Sequence, residues 1–384
     1  MKRHLYSDDH ESFRQVVRAF VDREVVGNVE RWDDQRLIDR EIYVKAGRQG
    51  IIGLSTPEEY GGAGQERDYR FRNVVHEEFA KVFATSLSSS FSLHDDIVLP
   101  YFAALGTAEQ KQRWLPSLAS GESIGAIAMT EPETGSDLRG IKTSGERVEG
   151  GWVVNGSKTF ISSGQQADLV IVVVRTDPGG GSRAFSLLVV ERGMEGFTRG
   201  RKLAKVGLHG QDTSELAFED VFVPDGNLLG AAGGGFGQLV TKLPIERLSI
   251  GAQAIAIAEG IFASTLEYVQ QRHAFGKPIS DFQNTRFELA SMSAELDVTR
   301  AFIDRCIVAH GLDELSAVDA AKAKLWATEV QVRTVDRCVQ LHGGYGFMLE
   351  YPVGRAYQDA RVQRIHGGTS EIMKEIISRD LVGR

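Results

Sequence analysis

Hydrophobic residues recur at helical spacing over the first third of the chain. A capping residue, Ser7, precedes one such run, and a second capping sequence begins at Thr107. The same spacing predicts helices over 38–50 and 70–83. We therefore expect a helical domain over residues 1–122.

The pattern changes to strands after Gly121. Leu169–Val174, Ala184–Glu191 and Glu215–Pro224 are apolar or alternating segments typical of strands. A further strand from Trp152 is expected to enter a hairpin turn at Asn155–Gly156, because Asn-Gly is a strong two-residue turn signal. These features predict a β domain over residues 123–229.

Helical spacing returns in the last part of the chain. After a glycine-rich, hinge-like link over 230–237, the pattern predicts helices over 244–272, 283–311, 316–343 and 368–381. We assign residues 230–384 to a helical bundle domain. A helical domain, a β domain and a helical bundle together make an α+β fold.

The helix expected from Pro244 to Arg272 is apolar on nearly every face, so it is predicted to lie inside the bundle. Pro244 suits a first helical position, which places Glu246 and Arg247 in the opening turn. Burial raises the pKa of a carboxyl group, which would suit Glu246 to act as a general base. The alternative is that Glu246 stabilises the helix dipole and pairs with Arg247.

Composition excludes several classes. The chain is 42% hydrophobic and 25% charged, with a net charge of −8, which is typical of a globular protein and argues against nucleic acid as a partner. The short basic segment 199–205 is interpreted as a solvated loop. Cys306 and Cys338 are expected in the core rather than in a disulfide. No signal peptide or membrane span is predicted, so we expect a cytoplasmic protein.

Glycine motifs and metal-ligand spacings add no further site. The motifs at Gly233–Gly237 and His342–Gly346 do not follow a buried strand, so neither predicts a Rossmann nucleotide site. No Cys/His spacing suits a metal, and we expect none. The histidines at positions 94, 209, 342 and 366 are interpreted as structural or pocket-lining.

Five motifs occur in order along the chain: Met129–Asp137, Asn155–Ser162, Gln270–Gly276, Gln340–Gly346 and Gly368–Ile372. With these motifs the sequence resembles the acyl-CoA dehydrogenases over essentially its whole length. The resemblance implies a β-barrel-like middle domain, a C-terminal four-helix bundle and a bound FAD. It is greatest to the long-chain branch of the family.

The resemblance also implies a reaction. A glutamate removes the α-proton of an acyl-CoA thioester while the flavin N5 accepts a hydride from the β-carbon, which leaves a trans-2-enoyl-CoA. Electrons then pass to an electron-transfer flavoprotein, and the family is usually a homotetramer built as a dimer of dimers. The implied role is fatty acid β-oxidation, here of medium or long acyl chains.

The position of the base distinguishes this sequence within the family. Most members carry the glutamate in a C-terminal motif, where this chain has Gly367. The long-chain and isovaleryl branches carry it on the buried helix, where this chain has Glu246. The resemblance therefore favours Glu246 as the base over the helix-dipole alternative.

Matching to the family motifs implies two further sets of site residues. The cofactor-binding set is Ile127, Met129, Thr130, Ser136, Phe160, Ile161, Ser162, Arg272, Phe275, Gln283, Gln340, Leu341, His342, Gly343, Gly344, Thr369, Ser370 and Glu371. The substrate-binding set is Ser136, Ser182, Arg183, Pro244, Ile245, Arg247, Gly367 and Gly368. Within these sets, Arg272 and 340–344 are implied to bind the FAD diphosphate and adenosine of a neighbouring subunit.

Three alternatives remain open from the sequence. The same chemistry could act on an acyl group bound to a carrier protein. The fold could instead serve an oxidase or monooxygenase that uses O₂, or a non-catalytic binding subunit. Gly237 stands where long-chain enzymes carry an aromatic residue, which leaves the chain length open.

Overall fold

The computed structural model describes residues 3–383 of the chain, and for Ser182 only the backbone. Its N-terminal part is helical, as predicted. The helices are α1 Asp8–Phe20, α2 Val29–Gln35, α3 Glu41–Arg48, α4 Tyr69–Lys81, α5 Thr85–Ser92, α6 Leu99–Leu105 and α7 Ala108–Ala119. Thr107 caps α7, since its Oγ1 accepts from the Gln110 N–H at 3.2 Å while Gln110 Oε1 accepts from the Thr107 N–H at 2.9 Å.

The middle part is a sheet, as predicted. Its strands are β1 Gly125–Ala128, β2 Ser144–Val148, β3 Gly151–Ser162, β4 Leu169–Arg175, β5 Phe185–Glu191, β6 Phe197–Lys202, β7 Thr213–Pro224 and β8 Leu228–Leu229. They lie in the order β6-β7-β3-β2-β4-β5-β8, and β1 pairs in parallel with β4. One core cluster joins β1, β4 and β5 to α6, α7 and Leu239, which ties all three parts of the chain together.

The hairpin prediction at Asn155–Gly156 is wrong. β3 continues through both residues, and the turn of the β2–β3 hairpin lies instead at Glu149–Gly150. Asn155 stands at a register shift in the pairing with β7, and Gly156 has φ +146°. A Cβ on Gly156 would come within 2.7 Å of Thr143 Cα, so the glycine is required by close backbone packing at a bulge rather than by a turn.

The C-terminal part contains the long buried helix, but this helix begins earlier than predicted. Its helices are α8 Gly235–Gln271, α9 Gln283–Gly311, α10 Ala317–His342, α11 Pro352–Gln363 and α12 Ser370–Val382, with a small ladder of β9 His273–Ala274 and β10 Lys277–Pro278. Pro244 lies inside α8, because Leu239 and Phe236 pack on the β domain and extend the helix towards the sheet. The glycine-rich link therefore ends at Gly234, and α11 is a helix that the sequence pattern did not predict.

Helix α8 is the core of the bundle. Among the described residues it is the one helix long and apolar enough to cross a membrane, and 72% of that apolar window is buried inside the structure. Cys306 on α9 and Cys338 on α10 are both buried, as predicted. The predicted α+β fold of helices, sheet and helices is therefore confirmed, while the domain boundaries at 122 and 229 stay predictions.

The basic segment 199–205 is not a loop throughout, because β6 extends to Lys202, although Arg201 and Lys202 are exposed. Arg199 lies on β6 and donates to the carbonyls of Gly164 and Ala167, at 3.0 and 2.8 Å. Lys202 donates to the Arg36 carbonyl at 2.8 Å, and Lys205 donates to the Gln211 carbonyl. Arg199, Lys202 and Lys205 thus bind backbone carbonyls, while the Arg201 side chain is 78% exposed.

Candidate active site

Glu246 lies about three turns after α8 begins, and its side chain is buried against α6. Tyr101 donates a hydrogen bond from its hydroxyl to Glu246 Oε1 at 3.0 Å. The prediction that Glu246 stands in an opening turn is wrong, because the helix starts at Gly235. A helix dipole acts within the first turn, so the helix-dipole alternative does not apply to this carboxylate.

Burial changes the acidity of this group. It raises the pKa of Glu246 to about 7, against an opposing contribution from the Tyr101 hydrogen bond, which favours the charged form. The predicted rise in pKa is therefore confirmed. A carboxyl group that titrates near neutral pH can accept a proton and later release it under the same conditions.

Gly367 lies beside the turn of α8 that follows Glu246. Its φ is +64°, and a Cβ there would come within 2.4 Å of Ile250 Cδ1. A glutamate at this position would need both a strained backbone and a displaced Ile250. The backbone at Gly367 thus disfavours a glutamate there, which is consistent with the base position that the resemblance implies.

Two buried cations flank the same glycines. Lys324 is fully buried, and its Nζ donates to the Gly368 carbonyl. Burial, then the nearby Arg247, lower the pKa of Lys324 to about 8. Arg247 is 5% exposed, and its Nε has no hydrogen-bond partner among residues 3–383. Arg247 therefore offers a free donor beside the carboxylate rather than an ion pair that neutralises it.

The residues implied to hold the flavin ring meet where β1 and β3 end. The Thr159 N–H donates to the Thr130 carbonyl at 2.9 Å, which joins 127–130 to 160–162. Phe160 is 66% exposed and has φ +58°, so its ring stands out from the sheet. Below it, buried Lys158 donates to the Met129 carbonyl and to Glu131, which fixes the loop that carries Thr130.

A second group of cofactor residues lines an open cavity of about 530 Å³ between α8 and α10. Arg272 and 340–344 all lie in its wall. Phe275 is 95% exposed on the β9–β10 ladder, and Gln283 is exposed at the start of α9. Thr369 caps α12 through its Oγ1, which accepts from the Ile372 N–H at 3.3 Å, while Ser370 and Glu371 form the first turn.

The residues implied to bind substrate are distributed more widely. Ser136 and Arg183 are exposed near the start of α8, where Arg139 lies over the Phe236 ring, and Gly237 is exposed there. The side chain of Ser182 lies outside the described part of the structure. Pro244 and Ile245 line a separate cavity between α8 and the N-terminal domain. The roles of both residue sets stay predictions.

Tyr101, the hydrogen-bond partner of Glu246, was not predicted from the sequence. Tyr101 stands in an apolar segment after Pro100, and nothing in its local pattern distinguishes it from a core tyrosine. Its contact with Glu246 spans 145 residues, which only the tertiary fold brings together. Across residues 3–383, no group of three His, Cys, Asp or Glu side chains is arranged to hold a metal ion.

The buried carboxylate predicts a pH-dependent stability. Because the pKa of Glu246 is raised from 4.5 to about 7, the folded state binds a proton that the unfolded state releases between these values, so stability falls as pH rises through this window. Glu246→Gln removes this loss. We expect the variant to be more stable than wild type by on the order of 3 kcal/mol above pH 7 and similar to wild type near pH 4.

The measurement is urea unfolding at several pH values, with Glu267→Gln on the exposed side of the same helix as control. The control is expected to follow wild type throughout. Equal stabilities of Glu246→Gln and wild type above pH 7 would contradict a buried carboxyl group with a raised pKa.

Comparison with known proteins supports the architecture directly. Acyl-CoA dehydrogenase N-terminal, middle and C-terminal domain models match residues 7–122, 126–221 and 233–382. The long-chain specific acyl-CoA dehydrogenase of Rattus norvegicus is 46% identical, over 99% of this chain and 88% of its own length.

Solved structures agree. An acyl-CoA dehydrogenase from Geobacillus kaustophilus has a TM-score of 0.96 and 45% identity, with 99% of this chain and 100% of that chain covered. A glutaryl-CoA dehydrogenase from Mycobacterium smegmatis, solved in complex with FADH2, has a TM-score of 0.92 and 28% identity, with 99% and 96% covered. FAD is the cofactor of this family. This chain therefore belongs to the acyl-CoA dehydrogenase family of oxidoreductases, as shown by the domain matches over most of the chain, the identity to long-chain enzymes and the shared fold.

Proposed function

We propose that the protein catalyses FAD-dependent α,β-dehydrogenation of a medium- or long-chain acyl-CoA to the trans-2-enoyl-CoA. The observation that carries the proposal is the buried Glu246, whose pKa of about 7 suits a base that takes the substrate α-proton. The 46% identity to a long-chain enzyme supports this substrate class.

The residues around Glu246 have separate tasks in this proposal. Tyr101 holds the carboxylate in one orientation through its hydrogen bond and favours the charged, proton-accepting form. Gly367 and Gly368 carry no side chains, and their backbone N–H groups would donate to the thioester oxygen. Arg247 and Lys324 place positive charge where negative charge develops on that oxygen.

The residues present fit FAD. Bound FAD would supply the acceptor for the β-hydrogen. Phe160 offers an exposed ring beside Thr130 and Ser162, and Thr369 stands at a helix N-terminus, which favours negative partners. Arg272 and the glycines 343–344 supply a forked donor and an open backbone suited to a diphosphate.

A second subunit and an external electron acceptor belong to the same proposal. Phe275 and Gln283 are implied cofactor residues that lie exposed on one subunit, which supports a dimer and, by resemblance, a homotetramer. The proposed electron acceptor is an electron-transfer flavoprotein. The proposed pathway is fatty acid β-oxidation, and the proposed location is the cytoplasm.

The carrier-protein alternative is less favoured. Arg199, Lys202 and Lys205 bind internal carbonyls, so they do not favour docking of an acidic carrier protein.

The reaction is tested by anaerobic bleaching of the flavin absorbance with acyl-CoAs of increasing length. Wild type is expected to bleach with a medium- or long-chain ester, and Glu246→Gln to lose at least about 1,000-fold in rate because its amide cannot accept the proton. Glu267→Gln serves as the control. If no CoA ester bleaches wild type, a carrier-bound acyl group is the next substrate to test, and rapid reoxidation in air would instead indicate an oxidase.

Tyr101→Phe is expected to change the pH dependence of the reaction. Loss of the hydrogen bond removes the contribution that lowers the pKa of Glu246, so the rise of kcat/KM with pH should move upward by about one unit. Tyr43→Phe removes another buried hydroxyl, in the N-terminal core, and should leave the profile unchanged. A profile that coincides with wild type would show that Tyr101 does not tune the base.

A further inference from the structure

Lys324 on α10 is a fully buried cation that forms no ion pair within residues 3–383. Its Nζ makes one hydrogen bond, which it donates to the Gly368 carbonyl, and Glu329 and Glu371 act on it only from a longer distance. Burial of the charge costs free energy and lowers the pKa of Lys324 to about 8. An apolar side chain would fill the same space without this cost, so packing alone does not account for the lysine.

The carbonyl that Lys324 contacts lies in the short turn between α11 and α12. Gly367 and Gly368 in this turn have φ +64° and +98°. Glycine has the widest conformational freedom of all residues, so the chain itself does not fix the peptide groups of this pair. A contact from outside the turn is needed to fix them, and Lys324 supplies one at the peptide between Gly368 and Thr369.

Both ends of the turn are held by other contacts. At its start, His366 Nε2 lies 3.0 Å from Gln363 Oε1, and Gln363 Nε2 donates to Gln253 Oε1 on α8 at 2.8 Å. At its end, Ser370 Oγ donates to Glu329 Oε1 on α10 at 2.9 Å. Only the two glycines between these ends remain free to rotate, and the lysine holds one of their peptide groups.

The turn has three consecutive backbone N–H groups, at 367, 368 and 369, that donate no hydrogen bond within residues 3–383. Successive N–H groups at left-handed positions of a turn form a concave site for an oxygen that carries negative charge. In a trans peptide the C=O and the N–H point in opposite directions. Because Lys324 draws the Gly368 carbonyl towards α10, the Thr369 N–H faces away from α10.

The same turn lies next to the candidate base. A Cβ on Gly367 would come within 2.4 Å of Ile250 Cδ1, and Ile250 follows Glu246 by about one turn of α8. A thioester whose α-carbon lies at Glu246 has its oxygen two bonds away from that carbon. The free N–H groups are therefore close to the place where this oxygen is expected.

The charge on Lys324 also changes the strength of these donors. A peptide group is a dipole with its negative end at the carbonyl oxygen, and hydrogen-bonded groups in series polarise one another inside a protein. A cation on the Gly368 carbonyl therefore makes the N–H of the same peptide a stronger donor than an unassisted amide. Since Lys324 is fully buried, it can act on a ligand only in this indirect way.

We propose that Lys324 is a positioning residue for the dehydrogenation, which fixes and polarises the 367–369 turn so that its N–H groups donate to the thioester oxygen. The inference rests on the proposed function and adds to it a residue that does not touch the substrate. The lysine charge is retained because it acts through the peptide on the negative charge that develops on this oxygen.

The test is infrared spectroscopy of the holoenzyme with an acyl-CoA analogue that carries ¹³C at the thioester carbonyl and cannot give up hydride. Wild type is expected to lower the carbonyl stretching frequency relative to the free analogue, and Lys324→Met to lose at least about half of this shift. In turnover, Lys324→Met should lower kcat on the order of 10- to 100-fold and change KM less than about 3-fold, because these donors bind the transition state more strongly than the substrate.

Lys205→Met is the matched control, because burial also lowers the pKa of Lys205 to about 8 and its Nζ also donates to a backbone carbonyl, that of Gln211 in the β domain. It should keep the wild-type shift and kcat. The FAD content of each variant checks that it is folded. If Lys324→Met does not fold, Lys324→Gln is measured instead, whose shorter, uncharged side chain should also reduce the shift.

A folded Lys324 variant with the wild-type shift and kcat would overturn the inference. Wild type that bleaches with an acyl-CoA but does not shift the thioester carbonyl would overturn it as well, even if neither Lys324 variant folds, and both results leave the dehydrogenase intact. Wild type that bleaches with no CoA ester would overturn the proposed function itself.

Discussion

The candidate site depends on one constraint, the burial of a carboxyl group in the most apolar helix of the protein. Glu246 has a pKa of about 7 because α8 is enclosed by the N-terminal domain, the sheet and the bundle. A surface glutamate would be ionised well below neutral pH and would be a weak base. The enclosure of α8 by three parts of the chain is thus what gives Glu246 its chemistry.

The surroundings of Glu246 are consistent with a single base on this helix. Gly367 has φ +64°, a backbone conformation that side chains rarely adopt, so a glutamate at this position would be strained. Tyr101 supplies a hydrogen bond that keeps the buried carboxylate oriented. The buried Arg247 guanidinium partly offsets its charge without an ion pair to it. The region around Glu246 thus brings together α6, α8, α10 and the glycines that precede α12.

The sequence pattern correctly predicted those helices whose first and last residues are determined by neighbouring residues in the chain. Helix α9 over Gln283–Gly311 and the cap at Thr107 follow from neighbouring residues alone. The start of α8 could not be predicted from neighbouring residues, since Leu239 extends the helix by packing on a sheet that is distant in sequence. Pairing with β7 likewise overrides the turn preference of Asn155–Gly156. Contacts between residues distant in sequence therefore determine both the start of α8 and the course of β3 through Asn155–Gly156.

The candidate base was predictable from the sequence, but its environment was only partly so. Glu246 could be identified because a charge stands out in an apolar helix, and matching to the family gave its role. Tyr101 carries no such signal. Ser249 and Asp96 are polar residues of the same region, but only the fold shows that the Ser249 hydroxyl donates to Asp96.

The most direct test of the central claim follows the α-proton alone. Wild type is incubated in D₂O with an acyl-CoA analogue whose β-position cannot give up hydride, so that no net oxidation occurs. The exchange of the analogue's α-hydrogen for solvent deuterium is then measured. We predict that wild type exchanges this hydrogen at a rate that rises with pH through about 7, and that Glu246→Gln does not exchange it. Exchange by Glu246→Gln at the wild-type rate would show that another group is the base.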